Sequence, residues 1–424
     1  MLLLQNGYLL DPKSGFEGKR DVLMEEGRIV KIASFIEPKE DTECLNVEGL
    51  FVAPGLVDVH VHFRDPGFTY KEDIFSGAEA AAAGGITTVV LMANTKPVVD
   101  NEETLSYVLE KGRQTKIHVE TCCSVTKGLG GKELAPLELL ARNGAVGFTD
   151  DGIPILEEAL LQQAMVVAAK LRLPISLHEE NPALIENNGI NSEAAKEIFG
   201  LGGSPREAEI SMIERDVEIA LRTGADVDIQ HISTKEGVEL VRKAKAKGAK
   251  IHAEATPHHF TLTQEAVKEH NTLAKMNPPL RTEQDRLAII EGLADGTIDL
   301  IATDHAPHSK EEKDREFTKA PSGIIGLETA LPLALTSLVE EAGLSLMEVL
   351  RKMTYNPASL YHLDAGYLQE GGPADLVVFD RKETTIGESF ASKSANTPFV
   401  GRRVAGSVRY TICRGNNIYT SEKK

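Results

Sequence analysis

The stretch Asp58-Val59-His60-Val61-His62-Phe63-Arg64 follows the turn Pro54-Gly55 and alternates apolar with polar residues. Successive side chains of a strand change face. Val57, Val59 and Val61 are therefore expected on one face, and Asp58, His60 and His62 on the other. Two imidazoles about 7 Å apart, at roughly 3.3 Å per residue, can grip one metal ion where a pocket closes over them. Arg64 extends the same polar row. A lone His-x-His is also what a structural, partly buried pair looks like, so the metal reading requires further ligands at matching places.

The elements that must position them follow from the rhythm of the chain. Residues 2–52 read as short strands, Leu2–Gln5, Asp21–Met24, Ile29–Ile32 and Leu45–Val47, separated by turns at Gly7, Gly15 and Gly27. From Pro54 onward short apolar runs alternate with helical patterns. The runs are Leu56–His62, Thr87–Met92, Lys116–Cys122, Ala145–Thr149, Ile175–His178, Val227–His231, Ile251–Glu254 and Ile298–Thr303. Between most of them lie amphipathic segments such as Glu72–Ala83, Leu156–Leu171, Glu207–Arg222, Lys235–Lys247 and Glu283–Leu293. Such alternation predicts an α/β fold, a (β/α)₈ TIM-like barrel over residues 53–365. After the helical Leu346–Met353 and a break at Asn356-Pro357, strands return at Asp375–Phe379, Ser407–Cys413 and Asn417–Thr420. Each strand-rich end is short for a stable domain, so residues 1–52 and 366–424 are expected to pair as one small β-sandwich domain around the inserted barrel.

In such a barrel chemistry gathers at the C-terminal ends of the strands. Strand one ends in His60 and His62, strand four runs into Asp150-Asp151, strand five ends at His178, strand six at His231 and strand eight at Asp304. Each aspartate alone could cap a turn, but the joint placement points to metal. Imidazoles with carboxylates suit zinc or another borderline divalent ion rather than magnesium or calcium. Two ions sharing a bridging carboxylate and a hydroxide would use all of these ligands. A metal-bound water can have its pKa lowered to about 7, and hydrolysis of an amide-like bond is the natural use. The remaining histidines, His118, His252, His258, His259, His270, His305 and His362, are read as lying outside the site, with His258-His259 nearest to it, just past strand seven.

With 46 basic and 64 acidic residues the chain carries a formal charge of -18, which disfavours nucleic acid and anionic membrane as partners. A small anionic substrate stays open, because local positive groups can outweigh the mean field. No apolar run reaches the roughly 18 residues needed to span a bilayer, and no basic segment precedes the short apolar start, so a cytoplasmic protein is expected. Cys44, Cys122, Cys123 and Cys413 lack zinc-finger spacing and read as buried reduced thiols. The charged stretch between Asp304 and Gly326 reads as a solvated loop, part of which can close over the site.

The run from Asp58 to Pro66, with Ala302-Thr303-Asp304-His305-Ala306-Pro307-His308 and the later Lys313, resembles the paired signatures of the dihydroorotases, within the amidohydrolase superfamily. The similarity extends over essentially the whole chain, through Met92-Ala93-Asn94-Thr95, Phe148-Thr149-Asp150-Asp151-Gly152 and Asn277-Pro278-Pro279-Leu280-Arg281. It is greatest to the bacterial type in which an aspartate replaces the carbamylated lysine that bridges the metals. The resemblance implies two Zn²⁺ per chain, one on His60, His62, Asp151 and Asp304, the other on Asp151, His178 and His231. It implies Arg64 and Asn94 on the substrate carboxylate, His62 facing the substrate, Asn277 and His308 on the ring, and backbone groups at Ser322 and Gly323 closing the site. Ser322 departs from the bulkier aromatic expected in many relatives.

The reaction implied is the reversible interconversion of N-carbamoyl-L-aspartate and L-dihydroorotate in pyrimidine (UMP) synthesis, with Asp304 as proton carrier. A related cyclic amidohydrolase acting on hydantoins or allantoin is the alternative, but the guanidinium of Arg64 favours a ring bearing a carboxylate. A non-catalytic partner subunit of a transcarbamoylase would have lost ligands, and none is missing. Association with aspartate transcarbamoylase, or with further copies of the chain, is compatible with catalysis.

Overall fold

Both ends of the chain build one mixed sheet. The computed structural model describes residues 1–421. The N-terminal part supplies β1 (Leu2–Asp11), β2 (Phe16–Glu25), β3 (Arg28–Ala33), β4 (Glu43–Asn46) and β5 (Phe51–Pro54). The barrel follows as β6 (Leu56–Val61), β7 (Ile86–Leu91), β8 (His118–Cys123), β9 (Gly147–Thr149), β10 (Ile175–Leu177), β11 (Val227–Ile229), β12 (Ile251–Ala255) and β13 (Leu300–Ile301). The C-terminal strands β14 (Leu376–Thr385), β15 (Arg403–Cys413) and β16 (Asn416–Thr420) complete the terminal sheet, whose order is β16-β15-β14-β5-β1-β2-β3 with β4 also on β1. Leu2, Leu4, Val22, Met24, Val52, Leu376 and Ile412 form that sheet's own buried apolar cluster. Between β5 and β6 stands a single residue, Gly55, where any Cβ would run into the Thr87 side chain.

The eight barrel strands pair in chain order, all parallel. Closure comes from a parallel bridge between Val61 and His305, with the His62 N–H donating to the His305 carbonyl at 2.9 Å. Helices cover the outside and start where the sequence supplies caps. Asp73 caps Ile74–Ala83 with Ser76 in a reciprocal box, and Thr282 caps Glu283–Asp295 with Asp285 in another. Asp285 also receives both terminal nitrogens of Arg206, at 2.7 and 2.6 Å, which ties helix Arg206–Thr223 to helix Glu283–Asp295. Burial would raise that carboxyl, but Arg206 and the cap donors hold it down at about 2. Among the described residues no helix is long and apolar enough to cross a membrane.

Three expectations are corrected. Val57, Val59 and Val61 do not share a face: Val57 and Val59 pack inside the barrel with Val90, Met92, Cys122 and Leu300 over a floor that includes Tyr361. Val61 packs with Phe63 in the cluster between strands and helices. The β6–β7 register slips between Asp58 and Val61, and a slip of one residue exchanges the two faces. The Asp58 carboxylate accepts from Thr303 N at 3.1 Å, Thr303 Oγ1 at 2.6 Å and the His60 backbone N–H at 3.3 Å, pinning β6 to the segment after β13. The break placed at Asn356-Pro357 falls at Thr354, and a second helix, Tyr355–Leu360, contains both residues. Proline is tolerated there because a first-turn N–H has no intrahelical acceptor. Of the four free cysteines, Cys44 is exposed and only the other three are buried.

Candidate metal centre and substrate pocket

The six ligands expected from the sequence meet at the C-terminal mouth of the barrel. His60 lies in β6 and His62 just past it; Asp151, His178, His231 and Asp304 follow β9, β10, β11 and β13. All six are at most 7% exposed. Asp151 sits at their centre. Its Oδ1 lies 3.5 Å from His60 Nε2, 3.7 Å from His178 Nδ1 and 3.9 Å from His231 Nε2, and its Oδ2 lies 3.5 Å from His62 Nε2. Two ligand triads result, His60-His62-Asp151 and Asp151-His178-His231, which share that one carboxylate. Asp304 Oδ1 reaches the first triad, 3.0 Å from His62 Nε2 and 3.6 Å from His60 Nε2.

The donor chemistry fits divalent metal. His60 Nε2 is fully buried with no hydrogen-bond partner, a costly state for an imidazole nitrogen unless a cation takes its lone pair. Burial would push the Asp151 carboxyl up, yet His60, His62 and His178 hold it well below the carboxylate range, so it remains an anionic ligand. Burial drives His231 well down, and His178 and His60 drive it further, leaving the neutral imidazole that a metal requires. Arg64, His231 and Asp304 have positive φ values of 59°, 31° and 48°. Non-glycine residues held in the left-handed region cluster at functional sites, where surrounding structure fixes them.

The outer ring was not foreseen. Glu254, buried on β12, contacts His60 Nδ1 at 2.9 Å; Glu180 contacts His178 Nε2 at 3.2 Å. Each occupies the ring nitrogen that faces away from Asp151 and so aims the other one inward. Burial alone would lower His60, but Glu254 and Asp151 together hold it well above its ordinary value, so a metal binding at Nε2 would displace a proton. The alternation in Ile251-His252-Ala253-Glu254-Ala255 carried the signal for Glu254, a carboxylate inside an otherwise apolar barrel strand. Glu254→Gln is expected to keep the fold and weaken metal affinity by about 10–100-fold, as read by competition with a colorimetric chelator.

Above the ligands lies a cavity of about 170 Å³, lined by His62, Arg64, Asn94, Asp151, His178, His231, Asn277, Asp304, His308, Ser322 and Gly323. His60 alone of the expected residues lies beneath it. The Arg64 guanidinium rests on Pro307 O at 3.3 Å, and among the described residues no carboxylate oxygen comes within ion-pair distance of it. Lys71 Nζ stands 3.2 Å from His308 Nδ1, and His308 Nε2 donates to Ser322 O at 2.8 Å. Burial, then Arg64 and Lys71, push His308 far down, so it stays neutral. The buried Asn277 Oδ1 and Ser322 Oγ have no partner.

Asn94 is engaged with the ligands themselves: its Oδ1 meets His62 Nδ1 at 3.0 Å and its Nδ2 donates to Asp151 Oδ2 at 2.9 Å. The Ser322–Gly323 backbone is occupied within the protein, Gly323 N by Lys275 O at 2.9 Å and Gly323 O by Lys313 Nζ at 3.0 Å and Asn396 Nδ2 at 3.1 Å. Gly323 has φ of 122°, and a Cβ there would strike Ala306. The segment after Asp304 is therefore not a simple solvated loop. Lys313 is buried in it and donates to Pro321 O at 2.9 Å, and Lys275 reaches Phe317 O at 2.7 Å and Ala320 O at 2.8 Å. Burial lowers Lys313 to about 7 and Lys275 to about 8. His258 and His259 stay out of the site, His259 spanning Thr256 Oγ1 at 2.8 Å and Pro278 O at 3.0 Å.

Residues 51–418 match the amidohydrolase family. Over 421 residues the chain is 54% identical to the dihydroorotase of Clostridioides difficile and 53% identical to that of Streptococcus pneumoniae, in each case covering 99% of this chain and 100% of the relative. Among solved structures, the L-hydantoinase (dihydropyrimidinase) of Arthrobacter aurescens superposes with a TM-score of 0.89 at 26% identity, covering 100% of this chain and 96% of that one. The D-hydantoinase of Thermus sp. superposes with a TM-score of 0.87 at 24% identity, covering 98% and 95%, a likeness of fold.

Proposed function

The chain belongs to the amidohydrolase family, and on that premise we propose how its barrel mouth divides the work of the dihydroorotase reaction, L-dihydroorotate plus water to N-carbamoyl-L-aspartate and back, in pyrimidine synthesis. The protein is a metal-dependent hydrolase of a cyclic amide C–N bond. Our reading places two zinc ions per chain, the first on His60, His62 and Asp151 with Asp304 alongside, the second on Asp151, His178 and His231. Bound metal supplies acidity to a water and a Lewis acid for the ring carbonyl.

The chain's own residues do the rest. Arg64 offers paired donors to the substrate carboxylate. Asn94 holds His62 and Asp151 in place, and Asn277 Oδ1 and Ser322 Oγ are the free polar atoms for the ring. In hydrolysis, water oxygen bonds to the ring carbonyl carbon and its proton passes to Asp304. The C–N bond then breaks and Asp304 returns the proton to the leaving nitrogen. In ring closure the same carboxylate takes the proton of the ureido nitrogen.

The observation that supports this most is the coincidence, in one small cavity, of a carboxylate shared by two triads, a second carboxylate beside them, and a guanidinium without an anion. Purified enzyme is expected to close N-carbamoyl-L-aspartate and open L-dihydroorotate while turning over unsubstituted hydantoin poorly. Faster turnover of the uncharged ring would transfer the assignment to a hydantoinase.

A further inference from the structure

At the foot of the barrel, opposite the catalytic mouth, three further metal-type side chains converge. His118 opens β8, Asp375 immediately precedes β14 and Cys413 ends β15, and one ligand atom from each lies within 4.8 Å of the other two. Asp375 and Cys413 are 3% and 1% exposed, while His118 is half-buried beside a cavity of about 590 Å³.

His118 Nε2 and Asp375 Oδ2 are 2.9 Å apart, yet neither atom completes a hydrogen bond. Hydrogen-bond length without hydrogen-bond direction is what two ligands of one ion display, because their lone pairs converge on a point between them. The other carboxylate oxygen is fixed by the Arg414 N–H at 2.8 Å, which leaves Oδ2 as the free donor atom. The Cys413 sulfur makes a weak contact, 3.9 Å to Thr87 O, and lies beside the Asp375 carboxylate. Burial and the neighbouring Asp375 push its thiol well up, against a smaller downward pull from Arg414.

We propose that His118, Asp375 and Cys413 hold a further divalent ion, structural rather than catalytic, that staples the terminal sheet to the foot of the barrel. One nitrogen, one oxygen and one sulfur donor select the zinc and cobalt class and reject magnesium and calcium. Three protein ligands leave a fourth tetrahedral position for water from the adjoining cavity. Binding replaces the thiol proton, which is released to solvent. The ion would act on a joint that already exists, since Arg414 donates from Nη1 to Thr115 O at 3.2 Å and from Nη2 to Ile117 O at 3.0 Å, both just ahead of β8. The bland reading is a His-Asp pair that happens to lie beside a thiol.

Sulfur separates the two readings, because the catalytic site has no cysteine. Cobalt(II) added to the chelator-stripped full chain is expected to produce a thiolate-to-cobalt charge-transfer band in the near ultraviolet. The band should be lost in Cys413→Ser and in His118→Asn, while both variants keep their circular dichroism and their cobalt-supported activity. No such band at cobalt levels that restore activity, or a band that survives Cys413→Ser, overturns the proposal. The wild-type spectrum decides the first point even if a variant folds poorly.

Discussion

Asp304→Asn is expected to lower kcat by about 10²–10⁴-fold in both directions, with KM little changed. The amide matches the carboxylate in size and can still sit 3.0 Å from His62, but it cannot take a proton from water or give one to the leaving nitrogen. Metal should remain bound, because both triads are complete without Asp304. Metal analysis and kinetics on the same preparation check this. Near-wild-type turnover with metal in place would take the proton-transfer role away from Asp304. Loss of metal together with activity would make it chiefly a ligand.

Arg64→Gln is expected to cost about 3–4 kcal/mol, or about 10²–10³-fold in kcat/KM, for the carboxylate-bearing substrate. The guanidinium stands in the cavity without an anionic partner, and a planar carboxylate fits its paired donors. Arg64→Lys should recover part of the loss, since a point charge returns while the fork does not. Any residual activity toward an uncharged hydantoin should be unchanged in both variants. An equal loss on charged and uncharged rings would mean that Arg64 supports the loop rather than reads the carboxylate.

Much of this was legible in the sequence because barrel physics is local and periodic. Runs such as Thr87–Met92 and Val227–His231, separated by amphipathic helices, gave the eight strands within a few residues, and strand ends fixed where His60, His178, His231 and Asp304 must gather. What escaped depends on closure in three dimensions. The slip between Asp58 and Val61 reverses the face of a valine without changing the alternation that predicts it. Glu254 and Glu180 are recognisable as partners only once His60 and His178 are placed beside them. Lys313 looks solvated within Lys310-Glu311-Glu312-Lys313, and its acceptors Pro321 and Gly323 come near only when the segment folds back. His118, Asp375 and Cys413, the last two more than 250 residues from the first, carry no spacing that could be used from sequence.

The most direct measurement removes metal from the mouth of the barrel and returns it stepwise, following dihydroorotate turnover against zinc bound. Activity should vanish in the stripped protein and return as the triads on Asp151 fill, and His60→Asn or His178→Asn should blunt the return. Full turnover by a chain shown to be metal-free would contradict the assignment of these side chains to a catalytic metal centre.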